Sequence, residues 1–234
     1  MGSNPASPTI TVWKRVSSRE MKLTCGVLCF SMEINGYLLE PGTDHFGATL
    51  ESVVLVGIDL TGAHFREGNL RGIDLSHANL SSSNFYNSDL SNAKMTGCVL
   101  RRARLGHAIL YKVDLGGSDL YEAELPDSDL TQAILRRCNL GLTDFSRSHL
   151  READLSYSSL VGSCLVNSNF WGANLAFADF TNADLTNADL TNACLDNAIF
   201  DNTDLTNADL TNAVLTNINL SNSILDGTTG LHFK

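Results

Sequence analysis

Residues 181–210 read TNADL TNADL TNACL DNAIF DNTDL TNADL, and this stretch decides the fold. Leu or Phe stands at every fifth position, a small residue stands two before it, and polar residues fill the remaining places. Working outward in both directions, the same spacing holds from Leu50 to Leu225. That makes 36 centres without one insertion, all Leu or Phe except Met95. With the apolar centre written as position i, position i−2 is almost always small, as at Ala63, Ala78, Ser83, Cys98, Ser118, Cys138, Thr143 and Ala183.

A period of five matches neither the 3.6 of a helix nor the alternation of a long strand. It suits a chain that turns two residues inward, at i−2 and i, and then rounds a corner. One such unit cannot bury its apolar pair alone, whereas stacked copies can, so the pattern predicts a solenoid. Asn at i+2 recurs in nine successive repeats from Asn182 to Asn222, and Asn is a turn residue because it tolerates left-handed backbone.

The motif A(D/N)Lxx, present as Ala173-Asn174-Leu175, Ala183-Asp184-Leu185, Ala188-Asp189-Leu190 and Ala208-Asp209-Leu210, resembles the pentapeptide-repeat family. The resemblance implies an all-β fold, a right-handed quadrilateral β-helix with four repeats per coil. This chain would then form about nine coils at ~4.8 Å each, with residues twenty apart stacked in columns. The expected organisation is a non-repeat N-terminal cap over 1–45, the β-helix over 46–228, and a C-terminal tail over 229–234. Within the cap, Thr9–Val16 and Leu23–Met32 are the strand candidates, and His45 sits at the centre of an incomplete first repeat. At the other end Gly230 takes the place of an apolar centre, and Leu231–Phe233 are expected to cover the last coil.

Composition narrows the function. Net charge is −10, with 16 basic and 26 acidic residues, so no basic surface is on offer for direct nucleic-acid binding. From Glu152 to Phe233 there are ten acids and no Lys or Arg. No run approaches the ~20 apolar residues of a membrane span, and LTCGVLCFSM at 23–32 is too short and internal for a signal sequence. Six cysteines without disulfide spacing fit a reducing, cytoplasmic setting. Cys25 and Cys29 form a lone C-x3-C pair. Cys98 and Cys138 lie two coils apart in one inward column, with Ser118 between them.

Catalysis needs convergent polar groups in a concave site, and a rod filled with Leu, Phe and Ala supplies none. No catalytic residue, cofactor or metal is expected, and the six histidines are scattered. The twenty-residue column rule pairs Arg102 with Glu122, Arg104 with Glu124 and Arg147 with Asp127, and sets Lys94 between Asp74 and Asp114. The same rule leaves Arg136 and Arg137 without an acid. Tyr157 and Phe177 follow them along one corner column, and Leu142, Val161, Val166 and Trp171 also fall on outward positions of these coils.

Arg136, Arg137, Tyr157, Phe177 and Trp171 therefore form the candidate partner-binding cluster, because arginine beside exposed aromatics concentrates binding energy. Packing over the rod surface is the other account of the same residues. The leading reading is a non-enzymatic rod that binds an unidentified protein partner and does not meet membranes. The resemblance adds an alternative, since some gyrase-protecting family members are acidic rods thought to imitate DNA. Asp184 with Asp204, and Asp189 with Asp209, would then repeat charge at coil spacing toward a type II topoisomerase. Solubility of duplicated TNADL copies accounts for the same acids.

Overall fold

The computed structural model describes residues 32–231. The strand candidate Thr9–Val16, the cysteines at 25 and 29, and all of Leu23–Met32 but Met32 lie outside this range, as do His232 and Phe233. The described chain opens with a hairpin, β1 (Met32–Ile34) and β2 (Tyr37–Leu39), antiparallel with Ile34 opposite Tyr37. Its two-residue turn is Asn35-Gly36, both at positive φ, the combination that matches the twist of flanking strands. That signal was available in the sequence, where hydrophobic runs drew attention to 23–32 instead.

From Asp44 onward the chain coils. Every i−1 residue pairs in parallel with the residue twenty positions on, from Asp44–His64 through Cys194–Val214, and again at Asp204–Ile224 and Asp209–Thr229. The repeat from Leu185 to Asp189 shows how five residues satisfy five amides. Leu185 N–H donates to Asp204 O at 2.7 Å and Asn187 N–H to Thr206 O at 2.9 Å, both in the next coil. Asp189 N–H donates back to Ser168 O at 3.0 Å, and Ala188 N–H closes the corner on Leu185 O at 2.9 Å. The remaining donor, Thr186 N–H, bonds Asp184 Oδ1 at 2.9 Å. The Asp or Asn of the motif is therefore a corner cap, and no backbone donor of the repeat is left unpaired.

Each corner up to Asn217 holds its i+2 residue in left-handed backbone, for instance Asn182, Asn187 and Asn192 at φ 58–60°. Positive φ at this place, with the bond across the corner, is the type II pattern that favours Gly or Asn. The centres and i−2 residues are buried in one continuous core. Phe65 stacks on Phe85 with centroids 5.3 Å apart, and Phe180 on Phe200 at 5.2 Å, so aromatics twenty apart do share a column. The last coil is looser. No rung joins Ile199 to Asn219, and Gly230 lies flat against the coil beneath, where a Cβ would meet the Leu210 carbonyl carbon at 2.3 Å.

His45 closes the N-terminal end of a column. Its ring stacks on Phe65 at 5.1 Å, meets Tyr37 edge-on at 5.8 Å, and shares a 2.6 Å hydrogen bond with Thr43 Oγ1. Burial lowers its pKa below 6.5, against a smaller raising effect of Asp44. A base with a lowered folded pKa adds a proton more readily when unfolded, so stability rises with pH through this window. The neutral ring's contribution should be complete above about pH 6.5 and be lost progressively below it. Melting temperature should therefore fall more steeply on acidification in the wild type than in His45→Phe, which keeps the stack and cannot titrate. Parallel pH profiles for the two proteins would refute the assignment.

Candidate interaction face

Outward side chains fall into three classes with distinct directions. Those at i+1 lean back over the face they end. Arg71, Arg101 and Arg136 each reach an Asp eighteen residues on, at Asp89, Asp119 and Asp154. Those at i+2 lean forward over the next face, as His107 and Asp127 do in lining one shallow depression with Asp129 and His149. Those at i−1 form the floor.

This geometry corrects part of the sequence reading. Arg136 is not free: it is ion-paired with Asp154 across a diagonal that a rule of twenty cannot see. Burial alone would raise Asp154, but hydrogen bonds from Ser156 and the Arg136 guanidinium outweigh it and hold the carboxyl below its usual range. The columnar pairs stand, with Arg102–Glu122 at 2.6 Å, Arg104–Glu124 at 3.2 Å and Arg147–Asp127 at 2.7 Å. Lys94 makes no ion pair within 4.0 Å among the described residues. Its exposed side chain stays in water although its backbone is bridged to both Asp74 and Asp114. Trp171, at i+1, belongs to another face, where Arg151 stacks over it at 4.6 Å.

Arg137, Tyr157 and Phe177 are brought together. All are i+2 residues of one corner column, and the Arg137 guanidinium lies 5.8 Å from the Tyr157 ring centroid. Tyr157 and Phe177 stack at 4.7 Å with ring planes 4° apart. They border the face whose centres are Leu140, Leu160 and Phe180. Across it, coil by coil, run Arg137–Asn139–Gly141, Tyr157–Ser159–Val161 and Phe177–Asp179–Thr181. The same face carries a depression of about 430 Å³ lined by Tyr121, Asn139, Gly141, Leu142, Ser159 and Val161, with Arg101 stacked on Tyr121 at 5.6 Å. Leu142 and the hollow at Gly141 thus join the cluster, while Arg136 and Trp171 leave it.

The left-handed backbone of this corner is shared by ordinary side chains elsewhere, such as Glu67, Arg102, Lys112 and Leu142, but Tyr157 and Phe177 are the only Tyr or Phe among the described residues to occupy it, at φ 62° and 61°. Left-handed backbone costs an ordinary side chain roughly 1–2 kcal/mol per residue, and their stacking returns about 0.5–1.5 kcal/mol once. Tyr157 is 55% exposed and Phe177 46%, so burial recovers only part of the remainder.

The interior is chemically quiet. Cys98 and Cys138 are free and buried, and burial pushes both thiols up to about 12. Cys98 N–H donates to Ser118 Oγ at 3.0 Å, which donates on to Met95 O at 2.7 Å, so the polar groups of this column satisfy one another. Among the described residues no cluster of His, Cys, Asp or Glu is placed to hold a metal, and no helix is long and apolar enough to cross a membrane. Asp184, Asp189, Asp204 and Asp209 are half-buried corner caps. Each accepts the amide of the Thr two residues on at 2.9–3.0 Å, and Asp184–Asp204 and Asp189–Asp209 are bridged pairs. Thr206, Thr211, Thr191 and Thr229 thus help hold the negative charges, and the Thr211 hydroxyl and amide lower the pKa of Asp209.

A square parallel coil with a bonded corner every fifth residue defines a β-solenoid of five-residue repeats. The family model for pentapeptide repeats matches in eight copies over residues 46–81, 58–97, 98–137, 135–165, 163–202 and 195–227, and the chain belongs to that family. Its fold is accordingly the right-handed quadrilateral β-helix. It is similar to HetL, a pentapeptide repeat protein involved in heterocyst differentiation regulation from the cyanobacterium Nostoc sp. strain PCC 7120. The two are 31% identical over 78% of this chain and 85% of HetL, with a TM-score of 0.50. Full-length QnrB1, a plasmid-mediated fluoroquinolone resistance protein, is 21% identical over 80% of this chain and 92% of its own, with a TM-score of 0.51. No curated protein sequence matches.

Proposed function

We propose that this chain is a non-enzymatic rod that binds a protein partner through the face bordered by Arg137, Tyr157 and Phe177. The observation that carries the reading is the pair of stacked, half-exposed rings held in left-handed corners. Gly97, Gly117, Asn197 and Asn217 of that corner column suit the backbone, while His77 and Arg137 share the left-handed conformation with the two rings. Two half-exposed aromatics there gain little for the rod itself, and a partner that covers them would give them a use. HetL, a similar rod, is involved in regulation, which accords with a binding role. The free cysteines fit a reducing, cytoplasmic location.

Tyr157→Asn with Phe177→Asn tests the reading. Asn relieves the strain, so the double variant should melt at or above the wild-type temperature. In paired pull-downs from the native host it should lose the proteins that wild type retains. A lower melting temperature with retention unchanged would mean that the rings are packing.

A second reading, an acidic DNA mimic directed at a type II topoisomerase, rests on the bridged Asp184–Asp204 and Asp189–Asp209 columns. The corner-capping role of these carboxylates gives them a structural reason to be present and favours the first reading. Supercoiling assays with added protein at low salt separate the two, because mimicry requires inhibition that fades as salt rises.

A further inference from the structure

We propose that the Leu140–Leu160–Phe180 face takes an extended acidic segment of the partner, with a carboxylate on Arg137 and an aliphatic side chain in the hollow at Gly141. The inference rests on the interaction reading above and specifies its chemistry. Arg137 has no carboxylate within 4.0 Å among the described residues, whereas Arg101, Arg102, Arg104, Arg136 and Arg147 each have one. Lys112 over Tyr111 and Arg151 over Trp171 are likewise without an ion pair among the described residues, but of the three only Arg137 borders the face that carries the depression at Gly141. A carboxylate from outside would supply the missing partner, and the guanidinium fork suits it.

The hollow supplies the second contact. Its column carries Arg101, Tyr121, Val161 and Thr181 in neighbouring coils, and at Gly141 the Tyr121 ring leans over the row as one wall of the hollow, 3.1 Å from where a Cβ would stand. The walls are the Tyr121 ring, Leu142 at 50% exposure and Val161, over a floor of Asn139 and Ser159. About 430 Å³ of open, mostly apolar space holds a side chain of a larger partner rather than enclosing a small molecule. Arg137 and Gly141 are four residues apart across one face, roughly 13 Å at ~3.3 Å per extended residue. An extended partner strand has the same rise and shows alternate side chains to one side. It matches both points when its acid and its aliphatic residue are also four apart.

The test pans a random heptapeptide library against the full-length protein and against Arg137→Gln and Gly141→Val, each first shown to melt near the wild-type temperature. Wild type should enrich peptides with Asp or Glu four residues from Leu, Ile, Val or Met. By fluorescence polarisation of one labelled consensus peptide, each variant should raise Kd about tenfold or more. Enrichment of basic or charge-free peptides that still depend on Tyr157 and Phe177 would overturn the acidic assignment and leave the face standing. Enriched peptides indifferent to Arg137→Gln and Gly141→Val, or no enrichment at all, would overturn the proposal. The pull-down comparison with Tyr157→Asn and Phe177→Asn then judges the broader reading separately.

Discussion

Phe180→Ala is expected to cost the rod about 3–5 kcal/mol in unfolding free energy, read from urea or thermal melts. Phe180 is fully buried and its ring lies 5.2 Å from that of Phe200, 11° from parallel. A cavity at this site has little means of collapse. The backbone on either side is pinned, with Phe180 N–H on Ile199 O at 2.8 Å and Asp179 N–H on Ser158 O at 3.0 Å. Those bonds fix the coil spacing, so the void persists and the loss should sit in the upper part of the range. Changing Phe180 and Phe200 singly and together to Leu should reveal coupling of about 0.5–1.5 kcal/mol, the stacking component beyond burial. Because each coil touches only its neighbours, the damage should be felt most in the coils from Phe180 to the C-terminal end. Additive single effects would mean that the two rings do not act as a stacked pair.

The inward half of this rod was legible because a five-residue period with apolar i and small i−2 has few physical solutions. Phe65–Phe85 and Phe180–Phe200 could be paired before any coordinates, since only a twenty-residue coil puts them in one column. The outward half was less legible because side chains there are not confined to columns. Arg136 looked free under a rule of twenty, yet a flexible i+1 arginine reaches the i−1 acid at eighteen, as Arg71 and Arg101 also do. Trp171 looked close to Phe177 in sequence, but they lean over different faces of the square. The left-handed backbone under Tyr157 and Phe177 follows from position i+2, where Gly and Asn predominate. What the sequence could not convey is that the two rings stack on each other at 4.7 Å with planes 4° apart.

Ala188→Leu should destabilise by about 1–3 kcal/mol, the usual cost of forcing extra methylenes into a filled interior. Ala188 is 1% exposed at an i−2 place, and the same column holds only Ser168 before it and Ala208 after it. A leucine there has no empty volume to enter, and the bond from Ala188 N–H to Leu185 O at 2.9 Å resists the backbone shift that would make room. Its neighbour Asn187 provides the comparison. From the sequence alone, Asn187→Ser is expected to be nearly silent, because the residue faces water. The structure assigns it more: φ is 58°, its side-chain amide donates to Asn167 Oδ1 at 3.2 Å, and its own Oδ1 accepts from Asn207 at 3.3 Å. Serine forgoes that amide ladder and suits left-handed backbone less well, which should cost about 0.5–1 kcal/mol. Denaturant melts of the two variants should therefore rank Ala188→Leu well below Asn187→Ser, with Asn187→Ser measurably below wild type. Equal losses at 187 and 188 would contradict the assignment of one residue to the corner and the other to the core. A silent Asn187→Ser would show that neither the exposed ladder nor the left-handed preference of Asn adds measurably to stability at that corner.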